Sequence, residues 1–342
     1  MSMNKQSGYS LIEIMVATAI LGVVMFGLVA TFTANQKTHV TVGQVTSTQQ
    51  NLRVVAEMIE NDLRMSGYLV PDQAAVCLGD SGVGPDTLYL SDSDAILSVA
   101  QIQATDPELL GGEFGVPITN ITSGTAVGGS SMDLVLSKRW IDFGSQADFK
   151  LGAGVMVVDR NDDEGRVVCG TISGVVFNSG DGVTLNVDFN TAPVTFGATN
   201  LVDLVAVPAL VYSIAVPEAG TSDRYQLRRN GLLIANDVED MQLALFFDHD
   251  DDGVVESGEV EGDDGSAVGD GISITHSPAA VDGRNLKQVR LSLVMSSDRE
   301  DPDPKTPLSQ QQVTGNRDPQ SIPEPDRKKR RTYESTVRLR NV

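Results

Sequence analysis

The chain has 342 residues, with 46 acidic and 25 basic side chains and a formal net charge of −21. That balance excludes a generic nucleic-acid binder, which needs a basic face to meet phosphate; it suits solubility outside the cell, or a divalent cation where the acids cluster. The length allows a substantial core in about one to two domains. For catalysis the sequence offers little: His39, His249 and His276 stand in no H-E-x-x-H spacing, and no G-x-S-x-G or phosphate loop occurs, so an enzyme is not expected.

A short polar leader, residues 1–8, carries Lys5 and ends at Gly8. The apolar run that follows, Leu11 to Phe32, would extend roughly 33 Å as a helix, enough to cross a hydrocarbon core of about 30 Å. A secretory signal has a shorter apolar core and a small-residue cleavage site behind it. Here the outstanding small residue, Gly8, lies ahead of the run, so cutting there would remove the leader and keep the helix. One carboxylate, Glu13, lies near the start of the run. Ser10-x-x-Glu13 fits a capping box, and an acid in the first turn suits the helix dipole. A second reading pairs Glu13 with the amine that cutting after Gly8 would free on Tyr9, its own or a neighbour's; such a pair would select one axial register. The two readings are compatible.

Gly8 and Tyr9, followed by Ser10-Leu11-Ile12-Glu13-Ile14-Met15-Val16-Ala17, resemble the class III signal of type IV pilins and pseudopilins. The resemblance implies cleavage by a prepilin peptidase between Gly8 and Tyr9, methylation of the new N terminus, and a Glu13 that neutralises a neighbouring subunit's amine during assembly. Tyr9 departs from the commoner phenylalanine.

After Phe32 the chain turns polar but stays helix-compatible. Leu52, Val55, Ala56, Ile59 and Leu63 recur three and four apart, with Arg53, Glu57, Glu60, Asn61 and Arg64 between them. Gly67 is a natural C-cap and Pro71 a stop. The spacing predicts one helix from about Ser10 to about Ser66. From Leu69 the texture becomes short β-rich runs between turns. Strands are expected at Leu88–Leu90, Ala95–Ile102, Met132–Leu136, Gly154–Asp159, Arg166–Ser173, Val175–Phe177, Val183–Phe189, Leu201–Ala215, Val238–Phe247, Val289–Met295 and Thr332–Leu339. Asp106–Thr125 and Asp298–Glu324 read as loops. Tyr225–Arg229 and Leu232–Ile234, joined by Asn230-Gly231, give a hairpin signal suited to a type I′ turn.

The fold class that emerges is α+β and pilin-like: a long N-terminal helix, with a transmembrane half and an amphipathic half, packed on an antiparallel β-sheet head with a β-rich insertion within about 69–219. The divisions are residues 1–8 (leader), 9–32 (transmembrane and filament-core helix), 33–68 (amphipathic half) and 69–342 (head).

Two features could carry chemistry in that head. Asp248-His249-Asp250-Asp251-Asp252-Gly253-Val254-Val255-Glu256-Ser257-Gly258-Glu259 satisfies D-x-D-x-D-G-x5-E. Calcium takes six to eight oxygens, which Asp248, Asp250, Asp252, the Val254 carbonyl, Glu256 and a bidentate Glu259 would supply. The other reading is a solvated acidic hairpin loop, since no helix clearly flanks it. The two cysteines, Cys77 and Cys169, are either a disulfide, as an oxidising compartment allows, or two buried thiols. Lys328-Lys329-Arg330-Arg331 is either a contact for an anionic partner or a charged segment neutralised by the acidic head.

Asn61–Tyr68 and Thr332–Asn341 resemble the corresponding segments of PilW-type minor pilins, while about 69–219 aligns with nothing. That resemblance implies a minor pilin of a type IV pilus, held in the inner membrane by a single pass before assembly and then carried into a periplasmic or extracellular pilus. Its partners would be major and minor pilin subunits, the prepilin peptidase and the inner membrane, with no nucleic acid. The alternatives are a pseudopilin of a type II secretion system and a pilus-tip adhesin acting through Asp298–Glu324.

Overall fold

The computed structural model describes residues 9–67, 70–79, 84–91, 116–121, 126–129, 131–137, 149–159, 166–177, 182–189, 194–195, 204–216, 224–248, 252, 260–262, 285–301, 307–308 and 326–339. One helix, α1 (Leu11–Met65), runs 55 residues, about 82 Å. No proline interrupts it. Ser10 caps its start, and Gly67, at φ +83°, turns the chain away in a conformation open to glycine. Its buried residues all come from the second half: Thr48, Leu52, Val55, Ala56, Ile59, Glu60 and Leu63. Each fully buried Leu or Ile of that stripe contributes about 1.5–3 kcal/mol.

The strands are β1 (Val76–Gly79), β2 (Thr87–Ser91), β3 (Val116–Ile121), β4 (Ala126–Val127), β5 (Ser131–Ser137), β6 (Gly154–Asp159), β7 (Val167–Phe177) and β8 (Gly182–Phe189). There follow β9 (Val194–Thr195), β10 (Leu204–Ala215), β11 (Gln226–Arg229), β12 (Leu232–Asn236), β13 (Val238–Phe247), β14 (Val260–Gly262), β15 (Leu286–Ser296) and β16 (Arg330–Arg338). The architecture is α+β and pilin-like, with α1 lying on antiparallel sheet.

A four-stranded sheet, ordered β14-β13-β15-β16, carries the helix. Its registers align Met241 with Leu293 and Tyr333, and Leu245 with Val289 and Val337. Those side chains therefore share the face that meets Leu52, Val55, Ile59 and Leu63 of α1.

The insertion closes on itself. Val205 and Ala206 of β10 pair with β3 along one edge and with β6 along the other. From β3 the ladder runs through β5, β8 and β7 to β6 and back to β10, all antiparallel, so six strands form a small barrel. Leu134, Leu136, Val155, Val157, Ile172, Leu185, Val187 and Leu204 fill its interior, as expected for a barrel of this size. The outward residues of the same strands, Met156, Val158, Val205 and Val207, pack on Val70, Ala74 and Tyr89. β10 runs on beyond the barrel to pair with β2 and β11. It is thus shared by barrel and head.

Cys77 of β1 and Cys169 of β7 form a disulfide, with a Cα–Cα distance of 6.2 Å, and stitch the barrel wall to the segment that follows α1. Nearby, the Tyr89 and Thr171 hydroxyls lie 3.0 Å apart, and Gln73 Nε2 donates to the Asp159 carbonyl at 3.3 Å.

The structure corrects two expectations. Part of the stretch read as a loop over Asp106–Thr125 is β3: Ile118 and Ile121 are buried while Thr119 and Asn120 face outward. Pro117 and the polar pair mask a strand whose pairing is supplied by β5, just downstream, and by β10, far along the chain. The expected break before Val175 is a bulge between Ile172 and Gly174, so β7 is one strand. The strand expected at Ala95–Ile102 lies outside the described residues, as does most of Asp298–Glu324.

Candidate functional site

The apolar half of α1 is built to be covered by something other than its own chain. From Leu11 to Phe32 every residue is exposed, and among the described residues α1 is the one helix long and apolar enough to cross a membrane. Its few hydroxyls are internally satisfied: Thr18 Oγ1 donates to the Ile14 carbonyl at 2.9 Å, Thr31 to Gly27 at 2.9 Å and Thr33 to Val29 at 3.0 Å. No side-chain donor of these residues therefore needs water, which suits an apolar surrounding.

At the tip, the Ser10 backbone N–H donates to Glu13 Oε2 at 2.9 Å, and the Glu13 N–H donates to the Ser10 carbonyl at 3.0 Å. The carboxylate completes the reciprocal half of a capping box and lies at the positive end of the helix dipole. Tyr9 is exposed beside it; Gly8 lies outside the described residues. Glu13 itself remains solvent-facing on the first turn, so one oxygen can serve the cap while the carboxylate stays within reach of a neighbouring cation. Residues 3–29 match the family model for the prokaryotic N-terminal methylation motif. The chain thus begins with the processing and methylation signal of type IV pilin-like proteins, the class cut by a prepilin peptidase and assembled with other pilin-type subunits. No curated protein and no solved structure matches the chain.

The other half of α1 is fixed to the head through two charge clusters. Glu60, on the buried face of α1, accepts from Tyr333 Oη at 2.7 Å, from Ser335 Oγ at 2.6 Å and from Arg64 Nη2 at 2.8 Å. Burial pushes its carboxyl up, but hydrogen bonds from Ser335, Tyr333 and Arg64 prevail and hold it below the ordinary range. Two residues on, and so on another side of the helix, Asp62 accepts from the buried Tyr212 hydroxyl and from Arg229 Nε at 3.0 Å. Burial, reinforced by Asp62, drives the Tyr212 phenol well above its usual value, so it stays a protonated donor. A carboxylate inside the apolar stripe, where Glu60 falls beside Ala56 and Leu63, was the available sequence signal for the first cluster; the partners at 333 and 335 had none.

The remaining candidates are dispersed. Asp248 is buried at the end of β13, its N–H donating to the Asn285 carbonyl at 3.1 Å, and Asp252 is exposed. Asp250, Val254, Glu256 and Glu259 lie outside the described residues. Among the described residues no group of three or more His, Cys, Asp or Glu side chains converges as a metal site. Three cations of the basic run are engaged within the head: Lys328 with Asp237 at 3.8 Å, Lys329 with Asp301 at 3.1 Å, and Arg330 with both Glu239 and Asp326 at 2.7 Å. That run is internal neutralisation of an acidic head.

Proposed function

We propose that the protein is a minor pilin of the PilW type, a structural or priming subunit of a type IV pilus. The observation that carries this reading is the single α1: its first half bears the methylation motif and buries nothing of its own, while its second half is the spine of the head. Cleavage after Gly8 would free the Tyr9 amine, and Glu13 of one subunit would receive such an amine from its neighbour, setting the axial register as helices pack. Before assembly the same helix would hold the chain in the inner membrane, with the head outside. A type II secretion pseudopilin would share the N-terminal half, and a tip adhesin would use the loops of the head; the segments Asn61–Tyr68 and Thr332–Asn341 favour the pilus. The Cys77–Cys169 link suits an exported head.

We also propose that Asp248, Asp250, Asp252, Val254, Glu256 and Glu259 bind calcium. The support is their spacing and the position of Asp248 where β13 leaves the sheet.

Mass spectrometry of the mature N-terminal peptide tests the main reading. The expected result is a chain beginning at N-methylated Tyr9; a chain still beginning at Met1 overturns it.

A further inference from the structure

A groove of about 610 Å³ opens where α1 leaves the head. One wall is the α1 face carrying Gly43, Ser47, Val54 and Met58; the other is β12, with the turn at Asp237 and the end of β15. A Cβ at Gly43 would touch nothing, so the floor is open there. Three observations mark the groove as an unfilled seat.

First, it holds polar atoms that lack partners. Ser296, only 3% exposed, has no hydrogen-bond partner for Oγ among the described residues, and neither does Gln44 Oε1 across the groove. Both atoms are walled off from solvent, so they mark a part of the groove wall that the described residues leave unsatisfied.

Second, among the described residues β12 pairs only with β11. An edge strand is usually blunted by charge or proline. This one instead presents Leu232, Leu233 and Ile234, 69%, 51% and 38% exposed, and Ile234 lines the groove together with Val54, itself 66% exposed.

Third, the α1 wall continues the assembly helix. At 100° per residue, Gly22, Val29, Val40, Gly43, Ser47 and Val54 fall on one side, so a subunit packed along the apolar half is led into the groove.

We propose that this groove seats an extended strand from the head of a different pilin-like subunit, added to the edge of β12. The charge selects the occupant. A second copy brings another −21 and meets long-range repulsion, whereas a different, less acidic subunit does not; at the rim Asp298 is already neutralised by Arg224 at 2.8 Å, so the groove asks for no charge from its occupant. Recognition is by main-chain hydrogen bonds, with alternate apolar side chains filling the space against Val54, Met58 and Met295. The inference rests on assembly through α1.

Two photoreactive benzoylphenylalanine substitutions in the full-length chain, within the producing cell, test both levels. A probe at Val24 reports on packing of the apolar helix, and a probe at Ile234 reports on the groove, with adducts mapped to the residue by mass spectrometry. The expected Ile234 adduct lies in a head strand of a different protein that itself carries an N-terminal methylation motif. Val54→Lys, at an exposed position, lowers its yield about tenfold or more and leaves the melting temperature and the Val24 adduct unchanged. Ile234 adducts only to lipid or to a second copy, or none while Val24 still crosslinks to pilin-like chains, overturn the groove proposal and leave helix-mediated assembly standing. Loss of both adducts overturns both.

Discussion

Glu60 is the one charged residue on the buried face of α1, and it ties the helix to the last strand of the head through Tyr333 and Ser335. Its folded carboxyl titrates below the unfolded one, whose reference value is 4.5. The stabilisation is therefore complete above the unfolded value and is lost as pH falls through the depressed folded value. Glu60→Gln keeps the shape but loses the charge-assisted acceptors and should cost about 1–3 kcal/mol near neutral pH. Thermal melts of the full chain in detergent, from about pH 7 down to about pH 3, should show wild type and variant converging as the wild-type carboxylate protonates. A gap that stays constant or widens in acid would refute the account. At this scale the sequence was legible wherever the partner is close: Ser10 with Glu13 is a pattern three residues long, and Asn230-Gly231 announces its own turn, with φ at 49° and 75°. Glu60 shows only half of its interaction in the local pattern, because its partners lie 273 and 275 residues away.

Among the elements, strands with clean alternation were readable one by one, and the Gly154–Asp159 and Val238–Phe247 boundaries are those the pattern predicts. Closure of the barrel was not. It depends on β10 being hydrogen-bonded along both edges at Val205 and Ala206, and no local periodicity distinguishes such a strand from one at the edge of an open sheet. β3 was missed for the same reason, since its partners rather than its composition make it a strand. The barrel has its own packed interior, so what holds it to the head is the shared strand β10, the outer layer around Tyr89 and the disulfide. The Cys77–Cys169 bond spans 92 residues of chain, and a loop of that size removes on the order of 4–5 kcal/mol of unfolded-state entropy in the chain-entropy account. Replacing both cysteines by serine should lower the melting temperature by several degrees, and wild type melted with a reductant strong enough to open the buried bond should coincide with the variant. A variant as stable as the oxidised wild type would show that β10 and the outer apolar layer fix the barrel without the bond.

At the scale of the whole molecule, charge is distributed unevenly between inside and outside. Several of the 25 cations are committed to partners within the head: Arg64 to Glu60, Arg229 to Asp62, Arg224 to Asp237 and Asp298, and Arg330 to Glu239 and Asp326. The excess that gives −21 is left for the surface and the loops, where it repels itself and opposes compaction. The acidic stretch from Asp248 to Glu259 concentrates that strain at the exit of β13. There the proposed calcium site and general screening of repulsion make different predictions. Screening is set by ionic strength, so sodium chloride at matched ionic strength should raise the melting temperature as much as calcium does. A built site binds the folded state alone and raises stability by RT ln(1 + [Ca]/Kd), about 2.7 kcal/mol at one hundred times Kd, without saturating the rest of the surface. Full-length protein stripped with chelator and then titrated with calcium, magnesium or sodium at constant ionic strength should be stabilised by calcium well beyond the other two. Asp252→Asn, at an exposed position, should abolish the calcium increment while leaving the sodium response intact. Equal shifts with all three cations, or a calcium increment that survives the substitution, would reduce the stretch to a solvated acidic loop and leave the α1-based reading of the molecule untouched.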